Sequence, residues 1–221
     1  MKNLLFTFLV TTCTTLPLFG QMTEGHISYK MEATSDNPDM QMAVSMMQGS
    51  TLDVYFKEKQ TRAEMKMGAM MNMTTISNEN NGEMLMLMSG MVGQNAIKSN
   101  LKELDSAQTE KPKTEVTLEN ETKVIEGYTC KKAIVTDEEG TESVFWYTEE
   151  ISVAKKGQNY LNESVPGFPM QSEINNNGLK MIMTVTKVDK KLDKKASELF
   201  DMTIPSGYKE MSMEQLKSMG M

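Results

Sequence analysis

Thioether sulfur is the chemically distinctive group that this sequence carries in quantity, with 24 methionines among 221 residues. A thioether is a soft, neutral ligand that favours Cu(I), and methionine's unbranched, polarizable side chain also fills or lines apolar space. Three readings follow. In the first, Met67, Met70, Met71 and Met73, joined by the sole histidine, His26, make a Cu(I) site. Side chains at i and i+2 of a strand start roughly 6.6 Å apart, so they would have to converge by rotation. In the second, Met65, Met67, Met71, Met73, Met84, Met86, Met88, Met181 and Met183 line a deformable cavity for an apolar ligand such as a lipid acyl chain. In the third, methionine fills an ordinary core.

Bond-making chemistry finds little support. A hydrolytic Ser/His or Cys/His arrangement would have to use His26, and the sequence has no nucleophile elbow, zinc-ligand spacing or phosphate-cradling glycine loop. Glu138 with Glu139 and Glu149 with Glu150 are adjacent acids at expected turns and strand ends, where carboxylates are solvated. Cys130 reads as a small apolar residue of a strand rather than an activated thiol, since no histidine lies near it in sequence. A non-enzymatic protein without a cofactor is the expectation.

The spacing of the methionines says which elements must position them. Pairs at i and i+2 recur at Met40/Met42, Met65/Met67, Met71/Met73, Met84/Met86, Met86/Met88, Met181/Met183, Met211/Met213 and Met219/Met221. In a strand such pairs share one face, so Met65 and Met67 oppose Glu64 and Lys66, and Met71 and Met73 oppose Asn72 and Thr74. If those strands are neighbours, methionine tiles one side of a sheet. Leu85, Leu87 and Ile182 fall on the opposite faces, which predicts strands covered on both sides.

A first strand is expected over 25–33, where His26, Ser28 and Lys30 alternate with Ile27, Tyr29 and Met31. A helix then starts at Pro38 after Asn37 and stops at Gly49. Short strands follow over 52–57, 61–67, 71–77 and 84–88, with Gly68 and Asn80-Asn81-Gly82 at turns. A short helix is expected over 97–104. The strand rhythm returns over 122–125, 128–136, 141–148, 168–175 and 179–188, with hairpin turns at 137–140 and 175–178. A helical turn over 196–200 and an amphipathic tail over 211–221 close the chain.

Lys2, the apolar and threonine-rich stretch from Leu4 to Leu18, and Gly20 before Gln21 read as a secretory signal peptide over 1–20, cleaved near Gly20. Lipidation at Cys13 is the weaker reading, because Thr12 suits that cleavage poorly. Export makes the location periplasmic or extracellular and leaves Cys130 as the one cysteine. No stretch is apolar enough for a stable transmembrane anchor. Cleavage removes Lys2 and no acid, leaving 22 basic and 30 acidic residues, net −8. With Arg62 the sole arginine and no basic stripe, nucleic acid is not expected as a partner. The sequence assigns no oligomeric state.

Four motifs carry a resemblance: Gly127-Tyr128-Thr129-Cys130-Lys131-Lys132, Phe145-Trp146-Tyr147-Thr148, Gly167-Phe168-Pro169-Met170 and Ile204-Pro205-Ser206-Gly207-Tyr208. Together they resemble a family of secreted bacterial domains of unknown function, of Bacteroidetes type, over about residues 115–210. Such domains are similar in architecture to the periplasmic lipoprotein-carrier (LolA-like) fold, an incomplete β-barrel whose concave side holds acyl chains in the carrier. The resemblance implies no catalytic residues. With the strand pattern it gives the expected fold: mainly β (α+β), a single antiparallel half-barrel over 21–210 with one or two helices on its concave face and the methionines turned inward.

Overall fold

A computed structural model describes residues 21–68, 70–91, 93–102, 114–153, 162, 164–176 and 178–218. The expected signal peptide and Cys13 lie outside the described residues. The strands are β1 (Glu24–Thr34), β2 (Thr51–Lys57), β3 (Gln60–Met67), β4 (Met71–Asn78), β5 (Glu83–Gly90), β6 (Asn95–Asn100), β7 (Glu115–Ile125), β8 (Tyr128–Thr136), β9 (Glu142–Thr148), β10 (Phe168–Asn176), β11 (Leu179–Asp189) and β12 (Lys209–Glu210). A 3₁₀ turn (Pro38–Met40) leads into α1 (Gln41–Met46), and α2 (Ala196–Leu199) and α3 (Met213–Ser218) are short.

All twelve strands form one sheet, in the order β12-β6-β5-β4-β3-β2-β1-β11-β10-β9-β8-β7. The sheet is two antiparallel meanders, β2 to β6 and β7 to β11, joined through β1, which pairs with β2 on one side and β11 on the other. The one parallel pairing is β12 on β6. The sheet is open, with β12 and β7 at its edges.

Local chemistry explains most of these boundaries. β1 alternates strictly at its start, with Ile27, Tyr29 and Met31 buried between half-buried His26 and Ser28 and exposed Lys30. The Asn37 side chain accepts from the Asp39 N–H at 3.0 Å, capping the turn that Pro38 preorganises. Between β7 and β8, Glu126 and Gly127 both have positive φ, 48° and 82°. That is the two-residue hairpin geometry whose twist matches the strands it joins.

One expected helix is overturned. Residues 95–100 are strand β6, in register with β5 through Met86 opposite Ile97 and Leu87 opposite Ala96. Only residues 101 and 102 are helical, and the rest of the expected helix lies outside the described residues. Pairing with β5 and burial of Ala96 and Ile97 override a local sequence with little strand propensity.

The core is built on both sides of the sheet. Ile27, Tyr29, Leu52, Val54 and Phe56 form its centre with Met31, Met183 and Val185, and gather Cys130, Phe168 and Met170 from the second meander. On the opposite face, Tyr55, Ile76, Leu85, Leu87 and Ala96 are covered by Leu199 and Phe200, with Leu192, Met202, Ile204 and Tyr208 beside them. β5 is thus buried on both faces, as its alternating Met and Leu residues imply. No helix among the described residues is long and apolar enough to cross a membrane.

Candidate functional site

Strand register turns the scattered methionines into rows. Met65 on β3 lies opposite Met73 on β4, which lies opposite Met88 on β5. On the other side Met65 faces Leu52, and Leu52 faces Tyr29. Two residue pairs further along, on the same face, Met67 faces Met71. The same face continues through Met31, whose N–H donates to the Ser50 carbonyl at 3.1 Å and which is paired with Met183 across β1 and β11. Met181 pairs with Ala33 beside it. Methionine therefore recurs across strands that are remote in sequence, on one side of the sheet.

Burial divides this face. Met84, Met86 and Met88 are buried in a cluster with Ile97 and Leu101, against which Met73, Met211 and Met213 pack. Met183 is buried and Met181 half-buried in the central cluster. Met65, Met67, Met71 and Met73 are half-buried on the outer reaches of β3 and β4. Met31 and Met47 bear on the same face, but Met31 stands alone in its strand and Met47 follows a helix, so the i, i+2 strand spacing does not single them out.

Over one end of these rows sits α1. A cavity of about 330 Å³ lies between it and β1 and β2, lined by Met31, Ala33, Val44, Met47, Ser50 and Thr51 among others. That volume is at the lower end for small-molecule sites. The Ser50 hydroxyl is buried but satisfied by the Met47 carbonyl at 2.6 Å. Gly68, with φ +53°, lets the β3–β4 turn approach the Met46 carbonyl at the end of α1, which ties the helix to the hairpin that bears Met67, Met70 and Met71. A second cavity, about 300 Å³, opens by Met84, Leu85, Lys98 and Met202.

His26 is not brought to the methionines. It pairs with Tyr55, which pairs with Arg62, on the opposite face from Met65 and Leu52. Its ring stacks on Tyr55 with centroids 4.2 Å apart and planes 7° from parallel. Nε2 lies 2.8 Å from Asp53 Oδ1, and Nδ1 lies 3.4 Å from Asp189 Oδ2. Ser28 donates to the same Asp53 oxygen at 2.7 Å. The thioether set Met67, Met70, Met71 and Met73 thus stands without its proposed imidazole, because β1 alternates and its register through β2, β3 and β4 carries His26 onto the other face. Among the described residues, no three of His, Cys, Asp and Glu converge as a metal site.

Cys130 is fully buried, and burial pushes its thiol up to about 11. Such a thiol stays protonated and unreactive at neutral pH. Trp146 is a half-buried anchor with the Lys123 ammonium 4.1 Å from its ring centroid, and burial lowers the pKa of that lysine. Gly167 approaches the Thr148 carbonyl too closely for a side chain, which accounts for its motif.

No curated protein matches the chain in sequence. Among solved structures, PNGF-II is similar at a TM-score of 0.48 and 16% identity, over 88% of this chain and 32% of that one. The Mycobacterium tuberculosis lipoprotein LppX is similar at 0.34 and 9%, over 77% and 89%. MucB is similar at 0.40 and 12%, over 85% and 60%. The chain therefore spans about a third of the length of PNGF-II. A sequence family described as a domain of unknown function, DUF4412, matches residues 38–208, most of the length of the chain. The protein belongs to the DUF4412 family.

Proposed function

We propose that this is an exported, non-catalytic binding protein that holds an apolar ligand, such as a lipid acyl chain, in a methionine-lined recess on the concave side of an incomplete barrel. The observation that carries the reading is the continuity of the rows: Met183 and Met31 lead to the recess under α1, and Met67, Met71, Met65, Met73 and Met88 extend the same face across β3 to β5. Methionine side chains repack around varied apolar shapes at little cost, which suits a site for flexible chains. In favour of curvature, Tyr29 donates to the Pro169 carbonyl at 2.6 Å from a strand two places away. In a flat sheet those strands are about 9.6 Å apart.

Native mass spectrometry of the mature protein, purified from its own cell envelope, tests the reading. A retained lipid mass that is lost in Val44→Trp, which fills the recess, is the expected result. A bare protein mass from gently handled material would sink it. Amino-terminal sequencing of the same material tests export, with Gln21 expected as the first residue.

A second reading is favoured by one feature. Met67 and Met71 face each other at the end of the β3–β4 hairpin with Met70 in the turn between them, so three thioether side chains start from neighbouring backbone positions, which supports a soft-ligand site for Cu(I). Stoichiometric Cu(I) retention under reducing conditions, abolished in a Met67→Leu/Met71→Leu/Met73→Leu variant, is its signature. Leucine keeps the apolar volume and removes the sulfur.

A further inference from the structure

The chain that leaves β11 first covers one face of the sheet and then crosses to the other. Leu199 and Phe200 pack on Leu85 and Leu87. β12 then runs parallel to β6 and forms the edge of the sheet beside it, with the Lys209 N–H donating to the Gln94 carbonyl at 3.0 Å and the Met211 N–H to the Ala96 carbonyl at 2.9 Å. Beyond that edge, Met211 and Met213 pack against the methionine cluster of β5 on the opposite face. The tail has wrapped the sheet edge.

What holds it there is slight. β12 contributes two residues, and α3 has six, well short of the about 12–15 an isolated helix needs to persist in water. Glu214 and Gln215 on α3 are exposed. What the tail inserts is distinctive: two unbranched thioether arms, each with the cross-section of an alkyl chain, laid on an apolar floor of Met73, Met84, Met86, Met88, Ile97 and Leu101.

We propose that this floor is a second binding groove, for an unbranched acyl chain, and that Met211 and Met213 occupy it as a built-in surrogate which the ligand displaces. The inference rests on reading the methionine face as an apolar-ligand site. It adds where the chain of the ligand runs past Met73 and Met88 and what closes its path when empty. Displacement of the tail reduces apparent affinity by the fraction of molecules in which the groove is open.

The test uses the full mature chain and dansyl-undecanoic acid as probe, titrated by fluorescence. Met211→Ser/Met213→Ser is expected to bind about tenfold tighter than the parent, the change that follows if the closed tail is favoured about ten to one. Met211→Leu/Met213→Leu, which keeps the apolar arms, is expected to bind like the parent. Thermal melts confirm that each variant is folded. Methyl NMR of the parent gives an independent readout: the probe should move the Met211 and Met213 methyls to their solvent-exposed positions.

Equal affinity in the serine variant and the parent, with the two methyls unmoved at saturation, would overturn the groove. If probe binding is then still lost in Val44→Trp, the recess under α1 stands and the tail inference alone has failed. A gain in the serine variant that Val44→Trp does not touch supports the groove and defeats the recess. No binding by any of these proteins defeats both.

Discussion

Met31 and Met183 face each other across the β1–β11 ladder, tying the strand that joins the two meanders to the last strand of the second, beside the recess that Met31 lines. Met31 is 5% exposed and Met183 7%, so this contact is core as well as candidate site. The two roles separate by substitution.

Met183→Leu, close in volume, should cost less than about 1.5 kcal/mol, whereas Met183→Ala should cost about 2–5 kcal/mol because the neighbours only partly collapse into the space. Urea denaturation at constant m-value measures both. If Met183→Ala costs under about 1 kcal/mol, the pair is loosely packed, and it belongs to a cavity wall rather than to the core.

Cys130 gives a pH dependence with a fixed sign. Burial raises its folded-state pKa to about 11, above the 9.0 of a free thiol. A proton held more tightly by the folded state stabilises it fully below about pH 9, and that contribution is lost as pH rises from there through about 11. Stability of the parent should therefore fall towards that of Cys130→Ala over this interval, by up to about 1.4 kcal/mol per pH unit. A constant offset between the two proteins across the interval would show that the thiol is not buried. Native Cys130 should also resist thiol reagents at pH 8 and react at once in denaturant.

His26 should matter to the fold and not to sulfur chemistry. Its two nitrogens bring Asp53 of β2 and Asp189 of β11 to one ring, and Tyr55 stacks on it. Replacing it by Gln removes the ring stack and at least one charged hydrogen bond, for a loss of about 1–3 kcal/mol in chemical denaturation. Cu(I) retention, if present, should be unchanged, because the thioethers lie on the other face of the sheet. Loss of copper in His26→Gln would contradict the strand register itself.

The alternation of single strands was legible, and with it most of the fold. His26, Ser28 and Lys30 against Ile27, Tyr29 and Met31, or Met84, Met86 and Met88 against Leu85 and Leu87, follow from strand period alone, and burial on both sides of β5 followed too. The same alternation already separates His26 from Met31, but its distance from Met67 and Met71 needs the pairing of three further strands, which no local pattern encodes. β6 was misread because Asn95 to Asn100 has no period and becomes a strand through β5 and β12. Met211 and Met213 had the right spacing, yet their place on the methionine face depends on a chain crossing that only the assembled sheet reveals.

Gly68 links the hairpin to the helix, and its replacement gives the sharpest local prediction. Its φ of +53° is costly for any residue with a side chain, and a Cβ there would collide with the Met46 carbonyl. Gly49, in the loop from α1 to β2, has φ +73° but open space around it. Gly49→Ala should therefore show the backbone cost alone, about 1 kcal/mol, while Gly68→Ala should show that cost plus the displacement of a carbonyl, upwards of about 2 kcal/mol. Because the carbonyl belongs to α1, relief of the clash moves the helix away from β3 and opens the recess. Gly68→Ala should consequently weaken binding of a dansyl fatty acid under conditions where the protein is still folded, and Gly49→Ala should not. Equal stability losses in the two variants, with binding unaffected in both, would mean that the hairpin turn does not set the position of α1.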